Sequence, residues 1–383
     1  MGIDILSHLQ GFGHDLLHYL VPFLFVLSLV VFFHELGHFL VARWCGVRIL
    51  TFSIGFGPEL VGFYDRHGTR WKIAAIPLGG YVKFFGDDSA ASTPDRALIE
   101  NMDPSERERS FIFQPVAKRS AIVVAGPLAN FVLAIIIFSG IFMIFGMQTL
   151  SPRVDEVQAG SPAAAAGFKP GDMVLSIDGE KIDSFETMQR IVSDSAGKTL
   201  QVTVDRNGAQ VVLSATPQLR REKDIFGNVQ RIGLLGIRRS PAPGDVKYQY
   251  VSPPKAVWMS VQETWFVVDK TLTYIGRVII GRERANQLGG PIRIAQMSGQ
   301  VASISFVALL HLAAVLSVSI GLLNLFPIPL LDGGHLLFYG IEATRGRPLS
   351  ERAQEVGFRI GFAIVIMLMI FATFNDIVHL RAS

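Results

Sequence analysis

Four long runs of hydrophobic residues divide this sequence, and polar stretches of unequal length separate them. The runs cover approximately residues 21–41, 122–145, 304–325 and 356–374. Each is close to the roughly 20 apolar residues that an α-helix needs to cross the hydrocarbon core of a membrane. The pattern therefore predicts a polytopic α-helical membrane protein, with four transmembrane helices in contact with the lipid bilayer.

The first polar stretch, residues 46–119, contains two β-like segments that glycine and proline interrupt. These segments, residues 51–58 and 71–84, predict a β-hairpin or small sheet. Residues 87–110 are acidic and predict a mobile loop. We therefore expect the chain to leave the first span as a β-rich, membrane-associated loop.

Residues 150–240 have a different character, because they are polar, strand-forming and rich in turn residues. They predict an inserted α+β domain with a helix near residues 184–193. Residues 160–179 (GSPAAAAGFKPGDMVLSIDG) resemble the core of a PDZ domain in a circularly permuted order. A later segment resembles the loop and strand that receive a peptide carboxyl end. This module either binds a peptide or acts as a steric gate against bulky domains. The candidate peptide-binding residues are Gly233, Leu234, Leu235, Gly236 and Ile237.

Composition supports a membrane protein and excludes some kinds of chemistry. Half of the 383 residues are hydrophobic and only 17% are charged, which is typical of polytopic membrane proteins. The net charge of +3 gives no reason to expect nucleic acid as a partner. Cys45 is the only cysteine, so an intrachain disulfide and a cysteine-based zinc site are both excluded. No cleavable signal segment is evident before the first apolar run.

Basic residues gather at corresponding ends of the predicted spans. Positive charge favours the cytoplasmic side of a membrane. The C-terminal end of the first span should therefore face the cytoplasm, and residues 150–240 should lie on the opposite side of the membrane. The basic clusters are Arg43 with Arg48, Lys118 with Arg119, and Arg345 with Arg347.

The first span contains the pattern His34-Glu35-Leu36-Gly37-His38, which reads HExxH. On a helix, His34 and His38 are four residues apart and project from one face, so both imidazoles can bind one Zn²⁺ ion. Glu35 can take a proton from water that the metal activates. Ionisable side chains inside a membrane span are costly and usually mark function. The alternative is a helix end where these side chains merely meet the polar interface.

A catalytic zinc takes three protein ligands, so one further ligand is needed. The third span leads into residues 324–335 (NLFPIPLLDGGH), where two prolines break the helix. Broken backbone at membrane depth is tolerated where it lines a cavity. Asp332, beside two glycines, is the best candidate for the third ligand. His335 and His311 are its rivals, although both suit a packing role.

Residues 254–281 are apolar enough to suggest another span, but Glu263, Asp269 and Lys270 interrupt them. If this segment crossed the membrane, Asp332 would lie far from the HExxH motif. We therefore predict an interfacial amphipathic segment. This prediction depends on Asp332 being a metal ligand.

Other residues are candidates for catalysis and substrate binding. Asn324 could donate a hydrogen bond to a developing oxyanion, or it could form an interhelical hydrogen bond. Asn130 in the second span is expected to join helices rather than to act in catalysis. The 71–84 hairpin could pair its edge with an extended substrate, or it could only cover the metal site. Its candidate contact residues are Gly79, Gly80 and Tyr81.

The order HExxH, GPxxNF, PDZ-like segment and NxxPxPxLDGG resembles the bacterial site-2 protease family. The resemblance covers nearly the whole chain and includes residues 288–292 (LGGPI). It implies zinc held by His34, His38 and Asp332, with Glu35 as the acid and base. It also implies intramembrane cleavage of single-span proteins, such as anti-sigma factors and remnant signal peptides. The chain departs from family members with two tandem PDZ domains, since it has room for one.

The sequence thus predicts an intramembrane zinc endopeptidase whose substrate an upstream site-1 protease has already shortened. A membrane-anchored PDZ adaptor with a vestigial metal site is the alternative. A zinc transporter would carry ligands across the whole bilayer, whereas these lie at one end. The predicted segments are 1–45 (first transmembrane helix with HExxH), 46–119 (cytoplasmic β-rich loop), 120–149 (second transmembrane helix), 150–240 (periplasmic PDZ domain), 241–302 (periplasmic interfacial segment), 303–336 (third transmembrane helix with LDGG), 337–355 (cytoplasmic loop) and 356–383 (fourth transmembrane helix and tail).

Overall fold

The chain folds into two compact units, which we name the membrane unit and the inserted unit. The membrane unit comprises residues 1–140 and 254–383, and the inserted unit comprises residues 141–253. The computed structural model describes residues 2–86, 102–223, 229–240, 246–281 and 289–382. Most of the predicted acidic loop at 87–110 lies outside the described residues.

Helices dominate the membrane unit. Four of them are long and apolar enough to cross a membrane, at Leu17–Trp44, Val116–Phe145, Phe306–Asn324 and Arg352–Val378. These correspond to the four predicted spans. The helices are α1 (Gly2–Trp44), α2 (Pro104–Arg107), α3 (Val116–Phe145), α6 (Pro253–Ile279), α7 (Pro291–Ile304), α8 (Phe306–Asn324), α9 (Asp332–Arg345) and α10 (Glu351–Ala382), with α4 and α5 in the inserted unit.

Helix α1 is longer than predicted. The sequence suggested a start near Val21 with Pro22 in the first turn, but Pro22 lies inside the helix. A proline there leaves the carbonyl four residues earlier, on His18, without its helical hydrogen bond. Helix α7 packs on this position, because a Cβ atom on Gly299 would lie 3.0 Å from the His18 carbonyl oxygen. Neighbouring helices commonly accommodate such prolines in membrane proteins.

The predicted third span and the loop after it have to be corrected. Helix α8 ends at Asn324, and Asp332 begins a separate helix, α9, that continues to Arg345. Residues 337–345 are therefore helical, although the sequence suggested a loop at 337–355. The break that contains the two prolines covers only residues 325–331, so the next helix has already begun at Asp332. Gly346, with φ +68°, then ends α9 in the left-handed conformation that glycine favours.

Most of the described residues of the predicted interfacial segment, 241–302, belong to the two helices α6 and α7. Helix α6 is not among the four helices apolar enough to span. Its buried residues Ala256, Ser260 and Thr264 recur every four positions and so share one face. Ser139 of α3 donates a hydrogen bond of 3.0 Å to the Ser260 hydroxyl. Helix α6 thus contacts α3 at Ser260, and its depth in the membrane stays a prediction.

The predicted hairpin is present as β1 (Ile49–Tyr64) and β2 (Arg70–Phe84), and it is more folded than a simple ribbon. Residues 51–54 of β1 pair with 80–83 on one side and with 70–73 on the other. Among the described residues, no strand pairs with the second edge of 80–83. Within the described part of the chain, this edge therefore has no strand partner.

The inserted unit contains a four-stranded antiparallel sheet in the order β6-β5-β7-β8, together with paired short strands. Helix α5 begins where predicted, since the Ser184 hydroxyl accepts a hydrogen bond from the Thr187 amide at its N-terminus. The elements are β3 (Met147–Leu150), β4 (Glu156–Val157), α4 (Pro162–Ala166), β5 (Met173–Ile177), β6 (Glu180–Lys181), α5 (Phe185–Asp194), β7 (Leu200–Arg206), β8 (Ala209–Ala215), β9 (Gln218–Lys223), β10 (Val229–Leu234), β11 (Ile237–Arg238) and β12 (Val246–Gln249).

A buried carboxylate joins the first turn of α7 to the end of α10. Asp376 is only 2% exposed and accepts hydrogen bonds from the amides of Gly290 (2.8 Å) and Arg293 (3.1 Å). It satisfies amides that the start of a helix leaves unpaired. The contact requires a residue without a side chain at position 290. A Cβ atom there would lie 2.7 Å from an Asp376 carboxylate oxygen.

We predict that Gly290→Ala destabilises the membrane unit by about 1–3 kcal/mol, the usual cost of overpacking. Thermal unfolding of the full chain in detergent measures the effect as a lower midpoint. Gly276→Ala is the control, because nothing lies within 4 Å of a Cβ atom at that position. Equal midpoints for the two variants would contradict the proposed contact.

Candidate metal centre

The two histidines of the HExxH motif face each other on α1. Their Nε2 atoms are 3.3 Å apart, and their ring planes are nearly perpendicular. This follows from the four-residue spacing, which places both side chains on one face of the helix. The two Nε2 atoms can therefore point toward one metal ion.

Asp332 brings a carboxylate to the same point from α9. One of its oxygens lies 3.1 Å from His34 Nε2, and the other lies 3.5 Å from His38 Nε2. The side chains of the three residues are between 11 and 17% exposed. The structure thus brings the three predicted ligands together within the described residues.

The loop between α8 and α9 determines where Asp332 lies. Cβ atoms on Gly333 and Gly334 would overlap the backbone of residues 325–329, so these glycines let the loop fold closely over the start of α9. Leu330 has φ +90°, which is rare for a residue with a side chain. Backbone strain of this kind is often found at functional sites. The LDGG sequence therefore fixes a carboxylate at the entrance of α9.

The geometry and the donor types fit zinc. A tetrahedral zinc ion with bonds of about 2.0–2.1 Å holds its ligand atoms about 3.4 Å apart. The distances lie near this value, at 3.3 Å between the two Nε2 atoms and at 3.1 and 3.5 Å from each of them to a different oxygen of Asp332. In addition, the Asp332 oxygen nearest His34 is buried and has no hydrogen-bond partner among the described residues. A bound cation would compensate this buried charge.

Helix α3 packs directly behind the HExxH turn. His38 Nδ1 donates a hydrogen bond of 2.9 Å to the carbonyl oxygen of Ile122. Because a carbonyl can only accept, this bond places the proton on Nδ1 and leaves Nε2 free for a metal. A Cβ atom on Gly126 would overlap the His38 ring, and one on Gly37 would lie 2.7 Å from Ala129 Cβ. Glycine on both helices therefore permits the close approach.

The edge of β2 reaches Glu35. A Cβ atom on Gly80 would lie 3.1 Å from Glu35 Cγ and 2.9 Å from a methyl carbon of Val31. The backbone of Val82 also lies near the Glu35 carboxyl. The strand segment 80–82 therefore lies directly against the candidate acid and base.

Gly79 and Tyr81, the other candidate contact residues of the hairpin, both pack on Phe56. Gly79 has φ +153°, and a Cβ atom there would approach the Phe56 ring closely. The Tyr81 ring stacks on Phe56 with centroids 6.1 Å apart. The contacts with Phe56 stabilise the part of β2 that contains Gly80.

A carboxylate ties the hairpin to the end of α1. Asp65 accepts a hydrogen bond of 2.7 Å from Arg43, and its other oxygen accepts the amides of His67 and Thr69. Burial acts to raise the pKa of the Asp65 carboxyl, but these hydrogen bonds outweigh it and hold the pKa well below its usual value. Asp65 therefore stays ionised and keeps the hairpin in place beside the helix.

A second ion pair joins α3 to α9. Arg119 donates a hydrogen bond of 2.5 Å to Glu342, and its guanidinium lies 4.7 Å from the centroid of the Tyr339 ring. The helix that backs the two histidines is thereby linked to the helix that carries Asp332.

The two rival histidines are placed differently from the three ligands. The centroid of the His335 ring lies 5.5 Å from that of Phe358, and the centroid of the His311 ring lies 5.2 Å from that of Phe138. Neither belongs to the group of His34, His38 and Asp332 whose ligand atoms converge. This agrees with a packing role for both.

Asn324 is the last residue of α8 and is partly exposed. Among the described residues, its side chain makes no hydrogen bond to the three ligands or to Glu35. It precedes the broken loop that ends at Asp332. Its predicted catalytic role therefore stays a prediction.

The candidate peptide-binding segment of the inserted unit, residues 233–237, lies next to the end of α5. A Cβ atom on Gly233 would lie 3.0 Å from the Ala196 amide nitrogen and would overlap the carbonyl oxygen of Val192. Gly236 has φ +81° and packs on Ser161. The predicted loop and helix are thus neighbours, although peptide binding remains a prediction.

Sequence reasoning missed one contact to a ligand. Asn130 was expected to join helices, and its backbone carbonyl does accept a hydrogen bond of 2.8 Å from Ser317. Its side chain, however, lies 3.3 Å from His34 Nδ1. The sequence signal for this contact was the four-residue spacing of Ile122, Gly126 and Asn130, which places all three on one face of α3.

Comparison with known proteins finds relatives along nearly the whole chain. Residues 22–368 match the profile of Peptidase family M50. A protein of Agrobacterium fabrum named as a zinc metalloprotease is 53% identical over 359 residues, which cover 94% of this chain and 95% of the relative. Metalloprotease MmpA of Caulobacter vibrioides is 43% identical over 381 residues, covering 94% and 95%. A protein of Rickettsia conorii named as a zinc metalloprotease is 34% identical, covering 94% and 99%.

Among solved structures, the PDZ domain of an SdrC-like protein from Listeria monocytogenes aligns with 22% of this chain and 86% of its own length. The identity is 18% and the TM-score is 0.18, which is too low to establish a shared fold. The PDZ assignment therefore stays a prediction.

We predict that Asp332→Ala abolishes stoichiometric zinc in the purified chain, because only two protein ligands remain. His335→Ala should retain zinc, since that ring packs on Phe358. Elemental analysis of the detergent-purified variants measures both. If Asp332→Ala kept its zinc while His335→Ala lost it, the third ligand would be the histidine.

We also predict that Gly126→Ala weakens zinc binding by roughly tenfold or more, the usual effect of disturbing the surroundings of a ligand. The added methyl group would displace the His38 ring. Gly140→Ala in the same helix is the control, because a Cβ atom there meets nothing within 4 Å. The account fails here if a chelator removes zinc equally easily from both variants.

Proposed function

Because the chain belongs to peptidase family M50 and is a zinc metalloprotease, we propose that it is an intramembrane endopeptidase. Its substrates would be the transmembrane segments of single-span membrane proteins. The observation that carries this proposal is the convergence of His34, His38 and Asp332 on helices of a membrane unit. A hydrolytic centre at that depth meets peptide bonds that soluble proteases cannot reach.

The distribution of basic residues supports an orientation. Arg43, Lys118 and Arg119 lie at the helix ends nearest the HExxH motif, and positive charge favours the cytoplasm. We therefore place the metal centre toward the cytoplasmic face of a bacterial inner membrane. The inserted unit then lies in the periplasm.

The edge of β2 that has no described strand partner is the proposed docking site for substrate. Peptide bonds in a helix are shielded by their own hydrogen bonds, so a transmembrane segment has to unwind before cleavage. An extended segment that pairs with residues 80–82 would gain backbone hydrogen bonds in place of those it lost. Since Gly80 lies against Glu35, this pairing would bring a substrate carbonyl to the metal centre.

The metal would be held by His34, His38 and Asp332, and it supplies Lewis-acid activation of water and of the scissile carbonyl. Glu35 accepts a proton from the water, whose oxygen forms the new bond to the carbonyl carbon. The same carboxyl then gives this proton to the amide nitrogen as the carbon–nitrogen bond breaks. Asn324 would donate a hydrogen bond to the oxygen on which negative charge develops.

The inserted unit suggests how substrates are chosen. A PDZ-like module in the periplasm would either bind a newly formed carboxyl end or exclude proteins with bulky periplasmic domains. Both roles favour substrates that an upstream site-1 protease has already shortened. Anti-sigma factor-like proteins and remnant signal peptides are substrates of this kind.

Co-expression with tagged single-span proteins tests the proposal. Glu35→Gln should keep its zinc but lower cleavage by about 10²–10⁴-fold, the usual contribution of a general acid and base. Glu355→Gln is the matched control, because that carboxylate is exposed on α10 and pairs only with Arg359 among the described residues. Cleavage that persists in Glu35→Gln would remove Glu35 from the mechanism. An adaptor without catalysis would show no cleavage even in the wild type.

A further inference from the structure

Asn130 is the one fully buried amide that contacts a candidate ligand among the described residues. Its side chain is 0% exposed, and its Nδ2 atom lies 3.3 Å from His34 Nδ1. Its Oδ1 atom is also buried and has no hydrogen-bond partner within the described part of the chain. A buried amide oxygen without a partner is costly, so this arrangement needs an explanation.

The position of the proton on His34, when this histidine binds a metal, supplies an explanation. Its Nε2 atom faces the Asp332 carboxylate at 3.1 Å, so this nitrogen is the one that binds a metal. A neutral histidine that binds metal through Nε2 carries its proton on Nδ1. That Nδ1–H group needs an acceptor, and an amide nitrogen cannot provide one.

A half-turn of the Asn130 amide exchanges its oxygen and nitrogen in nearly the same space. We propose that Asn130 Oδ1 accepts a hydrogen bond from His34 Nδ1 in the zinc-loaded protein, and that Asn130 is a positioning residue for this ligand. The inference rests on the proposed ligand set of His34, His38 and Asp332. This single hydrogen bond gives a partner to both the buried Oδ1 atom of Asn130 and the Nδ1–H group of His34.

The arrangement parallels the one at His38. There the Ile122 carbonyl oxygen accepts from Nδ1 at 2.9 Å, and Asn130 lies eight residues further along the same face of α3. Each histidine would then have its own acceptor on one helix. Acceptors of this kind orient the ring of a metal-binding histidine and raise its basicity.

The side chain of Asn130 is free for this role because its backbone makes the interhelical contact. The Ser317 hydroxyl of α8 donates to the Asn130 carbonyl oxygen at 2.8 Å. A Cβ atom on Gly321 would lie 3.1 Å from Asn130 Cβ, so α8 packs closely against this residue. Helix packing therefore holds the residue in place, while the amide group faces His34.

Zinc affinity of the full chain in detergent, measured by competition with a chelator, tests the proposal. Asn130→Leu has similar size but no acceptor, and it should weaken zinc binding by about 10- to 100-fold. Asn130→Asp keeps an acceptor oxygen and should restore the affinity to within a few-fold of wild type. Co²⁺ substituted for zinc should show a changed visible spectrum in Asn130→Leu but the wild-type spectrum in Ser317→Ala.

Two comparisons separate positioning from packing. Ser317→Ala removes the interhelical hydrogen bond and should leave zinc affinity unchanged. If Asn130→Leu does not fold, Asn130→Ala removes the acceptor without adding a branched side chain and is measured in the same way. Wild-type affinity in a folded variant without the acceptor, or equal loss in Asn130→Asp, would overturn the proposal. Zinc retained by His34→Ala would instead refute the ligand set itself.

Discussion

The structure depends on holding two imidazoles and one carboxylate within about 3.5 Å of one another inside a membrane protein. A buried carboxylate without a compensating charge is expensive. The three side chains come from helices separated by almost 300 residues, so local sequence cannot hold them together. The packing of α1, α3 and α9 has to supply the constraint, and a bound cation relieves the charge that results.

Close approach of backbones is the means by which the fold meets this constraint. Gly37 and Gly126 let α1 and α3 touch behind the histidines, and Gly333 and Gly334 let the loop cover the start of α9. A Cβ atom on Gly361 would overlap Pro329, so α10 supports the same loop from outside. Small residues are the usual way in which membrane helices pack closely. The glycines near the HExxH and LDGG motifs therefore serve the geometry of the metal centre.

Much of the site could be predicted from the sequence because its chemistry is local. The spacing of His34 and His38 identifies a metal-binding helix, and the proline-broken segment identifies Asp332. The role of Asn130 could not be predicted, because it depends on which face of α3 packs against α1. The predicted start of α1 and the predicted loop at residues 337–355 were wrong for a related reason. Neighbouring helices accommodate Pro22 inside α1. The loop after α8 is short, so the chain is helical again from Asp332.

The central claim is that His34, His38 and Asp332 together bind one zinc ion. X-ray absorption at the zinc edge, on the detergent-purified full chain, tests it most directly. The account predicts one zinc per chain, surrounded by two imidazole nitrogens and by oxygen atoms at about 2.0–2.2 Å. A protein without stoichiometric zinc, or a zinc ion with a sulfur ligand or a single imidazole, would contradict it.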